Sequence, residues 1–201
     1  MRLFVAVLPP DDAVAVLARA VAPLRELPGA GGLRWTGRAS WHFTLAFLGE
    51  VDGGVLPALD ERLARAARRC EPFPLRISGG GRFGATTLWA GAAGGIPELR
   101  RLAERASAAA RRAGAGAGAG TGDETAGGHR AFHPHLTLAR ARGGRGGADL
   151  RPYVAALEPV ESTTWQVGEV CLVRSHLPDG RTPGEGPRYE TLGRWPLGRG
   201  R

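Results

Sequence analysis

The stretch Trp41–Glu50, WHFTLAFLGE, sets a histidine at the mouth of an apolar run and a threonine two residues later. The stretch His133–Ala141, HPHLTLARA, repeats the arrangement, with His135, Thr137 and Leu138 standing where His42, Thr44 and Leu45 stand. One copy falls in each half of the 201-residue chain. Residues i and i+2 of a strand share a face. Read as strands, the two stretches each present a His/Thr pair on one side. Phe43, Leu45 and Phe47 in the first, and Leu136 and Leu138 in the second, then turn to a core on the other.

Around these stretches the chain alternates strand and helix signals. Leu3–Leu8 reads as a buried strand closed by Pro9 and Pro10, with Asp11 and Asp12 offering an N-cap to a helix through Leu27. LRWT (33–36) reads as a short strand, and LPALDERLARAARRC (56–70) as an amphipathic helix with proline tolerated in its first turn. FPLRISGGGRF and TTLWAGA read as two strands around a glycine turn. IPELRRLAERASAAARRAG is a third helix. After the second motif come a short helix in ADLRPYVAAL, a strand or strand pair broken at Gly168, and a last strand in RYETLGRWPL. The pattern predicts an α+β fold from an old duplication. Two pseudo-symmetric lobes, each a mostly antiparallel sheet with helices outside, would enclose a cleft. The whole chain, 1–201, would be a single bilobal domain. Residues 114–128, a Gly/Ala repetition that cannot build a core, would form a flexible loop within it and are a candidate lid.

A hydrophobic fraction of 43% is ordinary for a globular protein, and the length suffices for a substantial core. All 27 basic residues are arginine, against 19 acidic ones, for a net charge of +8. An arginine-only chain rich in Ala and Gly fits a GC-rich genome. It also fits an anionic partner, because the guanidinium fork binds phosphate at two points. Cys70 and Cys171 are too few for a disulfide framework. The apolar run at the N-terminus is too short for a signal peptide, and no run of about 18 apolar residues offers a membrane span. The expectation is a soluble, monomeric cytoplasmic protein with reduced thiols and no membrane partner.

Two imidazoles and two hydroxyls across a cleft suit one chemistry. Histidine titrates near neutrality, at about pH 6.5, so one ring can be neutral while the other is protonated. The neutral ring takes a proton from a nucleophile, and the protonated ring gives one to a leaving oxygen. The threonine hydroxyls donate to phosphoryl oxygens, where charge must be held. This needs no metal or other cofactor. A metal reading of His133 and His135, with His129, lacks any accompanying Cys, Asp or Glu cluster. His176 reads as a surface residue. Trp35, Trp41 and Phe132 flank the motifs as candidate base-stacking rings, with core packing as the alternative.

HFTLAFLGEV together with FHPHLTLAR resembles the two-histidine phosphoesterase superfamily. Within it the chain is most similar to the RNA 2′,3′-cyclic phosphodiesterases, formerly called 2′-5′ RNA ligases. MRLFVAV, LRW before the first motif, LGEV after it and RYETLGRWPL extend the similarity over nearly the whole chain. The resemblance implies that His42 is the general acid and His135 the general base, with Thr44 and Thr137 binding phosphate and Arg140 near the substrate. An ideal strand would point Arg140 away from His135, so a bulge or strand end is needed there. The implied reaction is hydrolysis of an RNA-terminal 2′,3′-cyclic phosphate to a 2′-phosphomonoester. With an RNA 5′-hydroxyl in place of water, it becomes 2′-5′ ligation. Two alternatives stay open: a phosphodiesterase for small cyclic phosphates such as a cyclic ADP-ribose phosphate, and a non-catalytic module that binds RNA ends.

Overall fold

The computed structural model describes residues 1–116, 132–142, 149–177 and 186–198. The architecture is α+β. Strands β1 (Arg2–Val7), β3 (Phe43–Glu50), β8 (Glu169–His176) and β9 (Arg188–Pro196) form one antiparallel sheet in the order β3-β1-β8-β9. Strands β2 (Leu33–Trp35), β4 (Phe73–Phe83), β5 (Thr87–Gly94), β6 (Leu136–Ala141) and β7 (Trp165–Val167) form a second, in the order β2-β6-β5-β4-β7, also antiparallel. Helices α2 (Leu56–Ala67) and α3 (Ile96–Ala113) pack against each other and against β9 and β3 of the first sheet. Helices α1 (Asp11–Leu24) and α4 (Arg151–Leu157) cover β4 and β5 of the second. Most of the Gly/Ala stretch, from residue 117, and His129 lie outside the described residues. Among the described residues no helix is long and apolar enough to cross a membrane.

The sheets do not correspond to the two halves of the sequence. Each recruits strands from both, and the chain passes from the second sheet to the first at Gly168, between β7 and β8. The break expected at that glycine is therefore a change of sheet. Helix α1 starts on Pro10 as its N-cap, with no side-chain cap, and Asp11 and Asp12 form its first turn, correcting the cap expected from them. Asp12 instead accepts the Thr163 hydroxyl at 2.8 Å, and this bond leads the causes that hold its carboxyl below the usual range.

The two His-x-Thr strands share an irregularity. Along β1 and β3, Ala6 pairs with Thr44 and Val5 with Ala46, so Leu45 is an extra residue. Along β5 and β6, Trp89 pairs with Thr137 and Leu88 with Ala139, so Leu138 is extra. A bulge of this kind reverses the alternation beyond it. Leu45 and Ala46 are both buried, as are Leu138 and Ala139. Phe47, expected to share the core face of Phe43 and Leu45, is instead 50% exposed on the side of His42 and Thr44. Arg140 comes to the side of His135 and Thr137 by the same device.

Beside β6, the chain keeps room for a tryptophan. The backbone of β4 bulges at Gly79, whose φ of +61° suits glycine, and Gly81 lies under the ring of Trp89. A Cβ at Gly81 would stand 2.3 Å from that indole. Gly81→Ala must therefore displace Trp89, a ring that packs 4.6 Å from His133 and 6.4 Å from His135. We expect it to lower stability by about 1–3 kcal/mol, the usual cost of overpacking. A urea midpoint equal to that of the unmodified protein would show that the strand accommodates the methyl group.

Candidate active site

His42, Thr44, His135, Thr137 and Arg140 line one cavity of about 470 Å³, bounded by residues of both sheets. Their elements explain why. His42 and His135 each stand one residue before a strand, and Thr44 and Thr137 follow on the same face. Phe43, Leu45, Leu136 and Leu138 anchor the opposite face at 5% exposure or less. All five cavity residues named are half-buried, reachable yet held.

The histidines have different surroundings. His135 Nδ1 lies 2.8 Å from the carbonyl oxygen of His133. A carbonyl only accepts, so Nδ1 carries the proton and the neutral ring has its lone pair on Nε2. Phe83 and His135 pack edge to face, 4.8 Å between centroids. His42 instead stacks on Phe4 at 4.6 Å, with Tyr189 edge-on at 5.1 Å. The face of an aromatic ring attracts a cation, so this position accepts an imidazolium. His133 is exposed on one side and packs the other against Trp89 and Phe83. Burial against these rings, then the neighbouring His135, push its pKa below the usual value. Among the described residues no three His, Cys, Asp or Glu side chains gather as a metal site would require. His176 ends β8 and meets Glu190 at 2.8 Å, away from the cavity.

The walls are cationic. Arg2, Arg34 and Arg140 line the cavity, and its described lining contains no carboxylate. Arg34 of β2 lies directly opposite Arg140 of β6. Like charges facing across a sheet destabilise it, and an anion between them removes the conflict. On its other flank Arg140 reaches the buried hydroxyl of Thr87, its partner on β5, at 3.5 Å.

One threonine joins the two motifs. The Thr36 hydroxyl accepts from the indole N–H of Trp41 at 3.0 Å and donates to the Thr137 carbonyl at 2.7 Å, with the Leu138 carbonyl 3.0 Å away. Its backbone N–H also bonds Leu138, at 2.9 Å. A bulge interrupts its ladder, and Thr36 supplies donors to the carbonyls at that point. The residue before His42 is thus tied to the strand of His135. Trp41, 4% exposed, is structural and offers no face to a ligand. Phe132 packs against the core, outside the cavity lining. Trp35 does line it, between Tyr153 and the guanidinium of Arg25. The sequence pattern gives no sign of Phe4, Tyr189, Thr36 or Arg34, and it sets Phe47 in the core. The repeated Thr-Leu-Ala was the one sign of a shared bulge that would have found Phe47.

Two histidines and two threonines converging from separate sheets define a phosphoesterase of the two-histidine class. Residues 9–179 match the model of the 2′-5′ RNA ligase superfamily, to which this chain belongs. Relatives named RNA 2′,3′-cyclic phosphodiesterase include one from Thermus thermophilus, 34% identical over 98% of this chain and 90% of its own length, and one from Aeropyrum pernix, 31% identical over 76% and 80%. A third, from Geobacillus stearothermophilus, is 32% identical over 81% of this chain, which spans about half of that relative's length. The solved structure of TT0787 from Thermus thermophilus superposes with a TM-score of 0.73 at 30% identity, and E. coli LigT in its apo form with 0.70 at 26%, each covering 98% of both chains.

Two outcomes follow from this geometry. Thr36→Val leaves the Trp41 indole N–H without its acceptor, which should cost about 1–3 kcal/mol. Thr36→Ser should restore most of it, and a Val variant as stable as the Ser variant in urea would remove the hydroxyl from the account. The lowered pKa of His133 means that the unfolded chain binds the extra proton first. Stability from this residue is complete above its usual pKa of 6.5 and is lost as pH falls through that value toward the lowered folded one. His133→Gln should flatten the stability profile as pH falls below about 6.5, and an unchanged slope would contradict the assignment.

Proposed function

We propose that this chain hydrolyses RNA-terminal 2′,3′-cyclic phosphates to 2′-phosphomonoesters. The observation that carries the reading is the meeting of two His-x-Thr strands in one arginine-walled cavity whose described lining lacks carboxylates. Its volume, about 470 Å³, lies within the range of small-ligand pockets. The names of the relatives and the 3′-AMP bound to E. coli LigT support a nucleotide end as substrate.

His135 Nε2 removes a proton from water, whose oxygen attacks phosphorus. The bond from phosphorus to the 3′ oxygen breaks, and His42 delivers a proton to that oxygen. A 2′-phosphate and a 3′-hydroxyl result, with the histidines' protonation states exchanged until solvent resets them. Thr44, Thr137 and Arg140 hold the non-bridging oxygens as charge grows on them. The tautomer set by the His133 carbonyl supports His135 as the base, and the Phe4 face supports His42 as the acid. If an RNA 5′-hydroxyl takes the place of water, the same groups join ends through a 2′-5′ linkage.

His42→Ala and His135→Ala should each lower turnover of an RNA with a 2′,3′-cyclic end at least about 10²-fold, while the fold survives. The unmodified protein should give a bell-shaped pH profile that belongs to the pair, and its activity should persist in EDTA. Near-normal turnover in either variant, or loss on chelation with rescue by one metal, would overturn the mechanism.

A further inference from the structure

A second concave surface lies on the outer face of the first sheet's helices. It is a groove of about 170 Å³ between α2 and α3, lined by Arg62, Arg65, Arg69, Arg105 and Arg112 over a floor of Ala66, Ala108 and Ala109. The spacing follows the helix. Positions 62, 65 and 69 fall on one face of α2 and its C-terminal extension, and 105, 108, 109 and 112 on one face of α3. Small alanines let the helices approach, and the arginines stand as walls along roughly 10 Å, seven residues at helical rise. Arg65 pairs with Glu61 at 3.2 Å, and Arg105 donates to the Arg69 carbonyl at 2.7 Å. Among the described residues no carboxylate lines the groove. Apart from Arg65, which Glu61 partners, the guanidiniums placed this way repel one another, a cost that bound anions relieve.

The groove is also connected to the active-site sheet through α3. Helix α3 packs against β3, the edge strand that carries Thr44 and Phe47. Gly116, just past the end of α3, sits against the Phe47 carbonyl, with its Cβ position 4.0 Å away. Phe47 lines the cavity and Arg112 lines the groove. Helix α3 thus joins one wall of the groove to the strand whose Phe47 enters the cavity.

We infer that the α2–α3 groove is a second binding site, for the phosphodiester backbone of the RNA whose end occupies the cavity. This rests on the RNA reading above. A cyclic mononucleotide does not reach the groove, while a long strand adds charge-assisted contacts there. The site would thereby favour long RNA over small cyclic phosphates.

The test is the triple variant Arg62→Gln, Arg69→Gln, Arg112→Gln, which spares Arg65 and Arg105 with their bonds and keeps good helix formers at each position. Its fold is checked by thermal melting. It should hydrolyse a 2′,3′-cyclic mononucleotide as the unmodified protein does, but lose kcat/KM on a long RNA with a cyclic end. Its binding of a long RNA with a plain 3′-hydroxyl, followed by fluorescence anisotropy, should weaken about tenfold or more. The log–log salt slope should become shallower by about 2, at roughly 0.7 per phosphate contact on a single strand. Unchanged RNA binding and an unchanged slope would overturn the proposal, as would polyglutamate binding the groove as tightly as RNA. If the unmodified protein hydrolyses no cyclic end, the catalytic reading fails. The binding arm still decides the groove on its own.

Discussion

A bulge placed alike in two strands governs the rest of this structure. A strand that buries one face and serves a ligand with the other alternates strictly. Under that rule the residue five places after each histidine would be buried. Leu45 and Leu138, each directly after the motif threonine, break the alternation and hide two consecutive side chains. The core keeps its leucines, and the cavity receives Phe47 from one sheet and Arg140 from the other. The disrupted ladder on the second strand is covered by Thr36, which also holds Trp41 beside His42. The same local departure thus orients the chemistry and ties its two halves together.

That common device supports different work on the two sides. Phe47 joins Phe4 and Tyr189 in an aromatic wall around His42, and Arg140 joins Arg34 beside His135. The first environment tolerates a protonated ring over an aromatic face. In the second, the tautomer is set by a backbone carbonyl and the charge is positive. A motif repeated on two sheets has therefore been given two different surroundings.

The cationic character of the molecule is likewise organised. A uniform excess of arginine would leave carboxylates interspersed with it, as at the Arg101–Glu98 and Arg151–Asp149 pairs. The described lining of the cavity and the α2–α3 groove are both without acid. Local depletion of one sign of charge focuses the field where an anion is received.

Read by itself, the sequence determined the paired motif and most of the elements. The paired motifs named His42, Thr44, His135 and Thr137. Apolar periodicity placed the four helices, and glycine and proline marked the breaks, because these signals are local. The tertiary structure decided what depends on partners distant in the chain. Sheet membership is such a property, since hydrogen-bonding edges carry no label of their half, and Gly168 divides one apparent strand between two sheets. The bulges are another, because an extra residue exists only relative to the neighbouring strand. Hence Phe47 was expected in the core, and Arg140 could be brought to the site only on condition of a bulge. Trp41 and Trp35 looked alike beside the first motif. Only the hydroxyl of Thr36, reaching a carbonyl about a hundred residues away, separates the buried ring from the one that meets the cavity.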